Sequence, residues 1–261
     1  VRNDGDARRY VRRTLALTLA IYALLACALA GFVGPWVFPV VLPLVYVRLS
    51  LSLHELMHVR AASRVSWFHR LAMIFDTPLG LGYREHRAIH LAHHRYATTA
   101  RDPELFQIRG SHAAAFANAL VSPERAAAAW VRRHGVSRGL RRQALARATV
   151  FVALCAWNPA AFAVYWITLR ACIGASSFVF HHLLHNRAGV LGDHALPPAM
   201  LRLLPCVQAL FGAEPVIIVR DHRFHHVHPA VRASDLPQLD AAALATPGSQ
   251  GAGRLAPIAP R

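Results

Sequence analysis

Thr14 to Phe32, TLALTLAIYALLACALAGF, is uncharged and long enough to cross ~30 Å of hydrocarbon as a helix rising ~1.5 Å per residue. Arg8, Arg9, Arg12 and Arg13 crowd in front of it, and Ala28-Leu29-Ala30 mimics the cleavage site of a secretory signal. The apolar run resumes at once from Trp36 to Leu53, however, so the pattern predicts a helical hairpin across a membrane. Arg48 is the charge in the second arm, close enough to its inner end to snorkel.

A second hairpin is predicted further on. Leu145 to Trp157 rises from an arginine-rich segment, Asn158-Pro159 supplies the turn, and Ala160 to Phe180 returns. Arg142 and Arg147 would have to reach back to the interface. Arg170 lies about ten positions into the return helix, roughly 15 Å deep, where an ionisable group faces the bundle interior or a wet cavity.

Composition agrees with a membrane protein. Apolar residues make up 55% of the 261, mean hydropathy is positive, and the formal charge is still +16. Every basic residue other than histidine is arginine. These arginines flank apolar runs and are not interleaved with a nucleic-acid fold signature, which argues against nucleic acid as a partner. Cys27, Cys155, Cys172 and Cys206 stand alone in apolar surroundings, with no C-x-x-C pair, and read as small core residues.

The expected architecture is an all-α integral membrane protein, a bundle of four transmembrane helices under a cytoplasmic, histidine-rich helical cap. The spans fall near residues 14–32, 36–53, 145–157 and 160–180. Both outer turns lack charge, so the arginine-rich side and both termini should be cytoplasmic, as in a bacterial inner membrane. The patch Leu71 to Leu81 is broken by Asp76 and Pro78 and should lie at the interface. Residues 1–239 form the domain, and 240–261, rich in Ala, Gly and Pro, read as a disordered tail.

The cytoplasmic side carries the chemistry. HELMH, His54 to His58, has the spacing of a helical zinc-protease motif with Glu55 as base. Three further clusters share that side: HLAHH (His90, His93, His94, with His86 a turn earlier), HHLLH (His181, His182, His185) and HRFHH (His222, His225, His226, then His228). Residues at i, i+3 and i+4 share a helical face, so each cluster can aim several imidazoles at one point. Imidazole does not choose between iron, copper, nickel and zinc, but number does. One zinc takes roughly three or four protein ligands, and the clusters offer about twice that, enough for two ions of higher coordination number. His69, His112, His134 and His194 are isolated and read as ordinary polar residues.

At these residues the chain resembles the membrane fatty acid desaturase and hydroxylase superfamily, whose three histidine boxes stand here as HELMH, HLAHH and HRFHH. YREHRAIHLAHHRYATTARDPE (Tyr83 to Glu104) looks like the second-box region, and HHVHPAVRASDLPQL (His225 to Leu239) is similar to the third. The resemblance implies two iron ions held by His54, His58, His90, His93, His94, His222, His225 and His226. One more ligand would come from the foot of the fourth span, where helical phase does not separate His181, His182 and His185; His181 is favoured, with His185 on its face.

The activity implied is oxygen-dependent oxidation of an unactivated C–H bond in a lipid, first of all fatty acyl desaturation. A hydroxylase or carotenoid ketolase is the alternative within the superfamily. A membrane zinc protease or a histidine-rich metal carrier are the alternatives outside it. No iron–sulfur, haem or dinucleotide motif is present, so an external electron donor such as a ferredoxin, rubredoxin or cytochrome is expected.

Overall fold

The computed structural model describes residues 4–58, 77–187, 190–191 and 196–239. The interfacial patch up to Asp76, His69, His194 and the tail from Asp240 lie outside these residues.

Each apolar run becomes a helix. α1 (Asp4–Leu29) and α2 (Phe38–Met57) form the first hairpin, joined by a turn in which Gly31 takes φ +78° and by a 3₁₀ turn at Pro35–Val37. Shorter helices follow: α3 (Tyr83–Tyr96), α4 (Leu105–Ile108), α5 (His112–Leu120) and α6 (Ser122–His134). The second hairpin is α7 (Arg138–Trp157) and α8 (Pro159–Ser177), which runs into a π-helical turn at Phe178–Leu183. A two-stranded antiparallel hairpin (Asn186–Arg187, Val190–Leu191) and helices α9 (Pro198–Phe211), α10 (Ala213–Arg220) and α11 (His222–Val227) complete the order.

Three stretches are long and apolar enough to cross a membrane: Arg8–Leu29, Pro35–Met57 and Pro159–Leu183. The fourth expected span, 145–157, is helical but does not reach that length of apolar sequence. Its helix starts at Arg138 and carries Arg141, Arg142 and Arg147 through its first half. The described residues therefore show three such helices where the sequence predicts four.

One buried apolar cluster joins α1, α2 and α8: Ile21, Leu25 and Leu29 meet Phe38 and Leu42, and both meet Phe162, Tyr165 and Leu169. Phe38 and Tyr165 pack edge to face, ring centroids 5.3 Å apart. α7 leans on this cluster through Phe151 and Leu154. Leu19, Val40, Val152 and Ile167 point outward and are more than half exposed, as a lipid-facing surface would be. Asn158 stops α7 and starts α8, its Oδ1 accepting from Ala161 N at 3.1 Å, while its Nδ2 donates to Leu29 O at 3.3 Å and ties the two turns together.

Four of the arginines on or beside the long helices are bound within the fold. Arg147 is buried and donates to Leu81 O at 3.0 Å, instead of reaching back to the interface. Arg48 donates to Leu210 O at 3.2 Å and Arg13 pairs with Glu214, which fastens α9 and α10 to the first hairpin. Arg170 finds its partner in α6: it is ion-paired to Glu124, lies over the Trp166 ring at 5.2 Å and donates to Leu120 O. Gly174 permits this approach, since a Cβ there would meet Leu120 Cδ2 at 2.5 Å. α5 and α6 are thus pressed against the C-terminal half of α8, next to the π turn.

Candidate metal centre

Four elements deliver the histidines. α2 carries His54 in its last turn and His58 as its C-cap, α3 carries His86, His90, His93 and His94 along its length, the π turn and the residues just after it present His181, His182 and His185, and α11 supplies His222, His225 and His226. Tyr83 OH donates to Leu56 O at 3.0 Å and holds α3 against the end of α2.

Two groups of nitrogens result. His54, His58, His90, His94 and His225 bring one ring nitrogen each within 4.8 Å of one another. Nε2 of His90 lies 3.0 Å from Nε2 of His58 and 3.1 Å from Nε2 of His94, and Nε2 of His225 lies 3.1 Å from Nε2 of His54. The second group is His93, His185 and His226. His226 Nε2 is 3.0 Å from His185 Nε2 and 3.1 Å from His222 Nε2, which places His222 at its edge. His93 also belongs to a third set with Glu104 and His181.

This donor set suits metal ions. His90 Nε2 faces two other Nε2 atoms at once, and a single ring proton cannot satisfy both contacts. Lone pairs converging on a cation can. A metal–imidazole bond of roughly 2.1 Å separates nitrogens at right angles by roughly 3.0 Å and nitrogens in a tetrahedron by roughly 3.4 Å. The observed 3.0–3.1 Å fits right angles better than a tetrahedron.

Neighbouring groups prepare the rings. Both Asp102 oxygens lie 3.0–3.1 Å from His93 Nδ1, so Nδ1 carries the proton and Nε2 keeps its lone pair. His185 Nδ1 donates to Phe180 O at 3.1 Å with the same result. Burial first, then the neighbouring imidazoles, holds His90, His225 and His226 well below the usual histidine range and lowers His94 to about 2. Neutral rings are what a metal requires. For Glu104, burial pushes upward, but His181, His93 and His86 outweigh it and hold the carboxylate below its ordinary range.

The π turn separates the three histidines that helical phase leaves equivalent. His185 joins His93 and His226, and His181 faces Glu104 with Nε2 3.4 Å from Oε2. His182 turns away: its Nδ1 donates to Ile108 O at 2.8 Å, and its Nε2 accepts from His112 Nδ1 at 2.7 Å. His112 is therefore not isolated, as the sequence suggests, but the partner of His182. His134 stacks on Trp130, 4.2 Å between centroids. Sequence reasoning missed Asp102 and Glu104, although their only signal, Asp-Pro-Glu just after the second cluster, is in plain view.

A cavity of about 180 Å³ leads to these groups. Tyr46, Ser50 and Leu53 of α2 and Phe180 line it together with His54, His90, His93 and His226. The description of the fatty acid desaturase family matches residues 32–256, most of the chain and all of these histidines. The chain belongs to the fatty acid desaturase family. No curated protein and no solved structure matches it. In this family of lipid-oxidising membrane enzymes, the histidine groups are able to hold metal, and Glu55 of HELMH is buried beside His54.

Proposed function

We propose that this desaturase-family protein is a di-iron oxidoreductase that removes hydrogen from an unactivated C–H bond of a lipid acyl chain, using dioxygen and external electrons. The observation that supports it most is the pair of converging Nε2 groups at the end of an apolar, helix-walled cavity. His54, His58, His90, His94 and His225 would hold one iron, and His93, His185, His222 and His226 the other. When bound, the pair of irons supplies the activation of dioxygen that the protein's own side chains lack.

The chain's residues orient and exclude. Asp102 and the Phe180 carbonyl fix which nitrogen of His93 and His185 is available. Leu51, Leu53, Met57 and Phe180 make a mostly apolar cavity wall that admits an alkyl chain and keeps out bulk water. α7 would be the fourth membrane arm, with its arginines at the cytoplasmic face beside the centre. That face would receive the ferredoxin, rubredoxin or cytochrome that delivers electrons.

Mass spectrometry of total lipids from an expressing host tests the reading. A loss of about two mass units marks desaturation, while gains of about sixteen or fourteen mark the hydroxylase or ketolase alternative. An unchanged lipid profile, with donor supplied and protein folded, would count against all three.

A further inference from the structure

Glu104 has no place in a centre made only of imidazole, yet it is built into this one. It follows Asp102-Pro103, and Asp102 Oδ1 accepts from Glu104 N at 2.9 Å while Oδ2 accepts from Thr98 N at 3.0 Å. The same carboxylate fixes His93, so the turn that carries Glu104 is tied to a histidine of the second group. The Glu104 side chain is more than nine-tenths buried and lines the cavity.

Its Oε2 accepts no well-aligned hydrogen bond. It stands 3.4 Å from His181 Nε2 and 4.0 Å from His93 Nδ1, and among the described residues these two rings are its ion-pair partners. His181 Nδ1 donates to Ser177 O at 3.1 Å. Nε2 is then the His181 atom that faces the carboxylate, as a proton donor to it in the metal-free protein. Glu104, His181 and His93 each bring a ligand atom within 4.8 Å of the others, and a cation can take the place of that proton between ring and carboxylate.

We propose that Glu104 and His181 are ligands of the second iron, beside His93, so that one ion has an all-imidazole shell and the other a mixed shell containing a carboxylate. The inference rests on the di-iron reading above and adds to it an asymmetry. The carboxylate offsets part of the charge of the ion it binds, so the two irons differ in affinity and in electronic environment.

The test is ⁵⁷Fe(II) loading of the purified full chain in detergent, followed by equilibrium dialysis and Mössbauer spectroscopy. Wild type should bind about two irons in two distinct environments. Glu104→Gln and His181→Gln should each keep one tight iron and weaken the other at least about tenfold, with only one of the two signals altered. Glu104→Asp should restore part of the loss.

Both irons bound to Glu104→Gln with unchanged affinity and spectrum would overturn the proposal, including the case in which Glu104 is only a hydrogen-bond acceptor for His181. Wild type that binds no iron would instead remove the di-iron reading itself. Should the variants fail to fold, the infrared difference between iron-loaded and apo wild type with ¹³C-carboxyl glutamate decides: a label-sensitive carboxylate band that persists in Glu55→Gln is expected, and no such band contradicts the assignment.

Discussion

His94 and His226 lie with ring centroids 4.4 Å apart and planes tilted by 34°, one ring in each of the two nitrogen groups. This contact joins a helix of the first half of the chain to one near its end. It makes the two groups one bipartite site, not two separate ones.

Replacing His225 by Ala should abolish iron binding in the first group and activity with it. The loss should exceed the ~10–100-fold cost of losing an outer partner, which Asp102→Asn should show through a wrongly protonated His93. Iron titration of both variants checks the order, and a fully active His225→Ala would remove that ring from the ligand set.

His185 and His182 should part company. His185→Ala is expected to lose iron. His182→Ala should keep iron but lose the hydrogen bonds to Ile108 O and His112, with a cost of about 1–3 kcal/mol in denaturant unfolding. Iron loss from His182→Ala without a change in stability would contradict the geometry of the π turn.

Arg170→Met should be costly because it strands Glu124 in a half-buried place. With both side chains partly exposed, the low end of the usual range applies, about 3 kcal/mol. The double variant Arg170→Met, Glu124→Leu should recover most of it, since no charge is then left alone. Thermal unfolding in detergent measures both, and equal losses in single and double variants would refute the pairing.

Lowering the pH should destabilise the apo protein. The folded-state values of His90, His94, His225 and His226 lie below the ~6.5 of an unfolded histidine, so below that pH the unfolded chain takes up protons that the folded one refuses. These rings should make stability fall below about pH 6.5, by up to ~1.4 kcal/mol per pH unit for each ring, while His181, paired with the Glu104 carboxylate, opposes them in part. Glu104, held below the ordinary carboxylate range, acts in the same direction further down. Iron retention should decline over the same window, and rising stability on acidification would contradict the buried, neutral rings.

What the sequence made legible was periodic or contiguous. The apolar runs became α1, α2 and α8, Asn158-Pro159 became the turn, and the i, i+4 pairs His54/His58 and His90/His94 met in one group, whereas His93 parted from His90 and His94, and His226 from His225, to form the other. The choice among His181, His182 and His185 was hidden because a π turn shifts the phase that an α-helix would impose, and nothing in HHLLH announces it. The Arg170 partner was hidden because Glu124 comes from another helix. α7 shows the limit of hydropathy: its arginines lower its apolar length, yet Arg147 is buried against Leu81 O. Glu104 was hidden because it lies beyond the end of α3, outside the helical period that the histidines share.

Metal content of the purified, catalytically competent protein tests the central claim most directly. The account predicts about two irons per chain, lost together with activity on chelation and restored with it on adding ferrous iron. An active preparation free of iron, or one whose activity follows zinc alone, would contradict it.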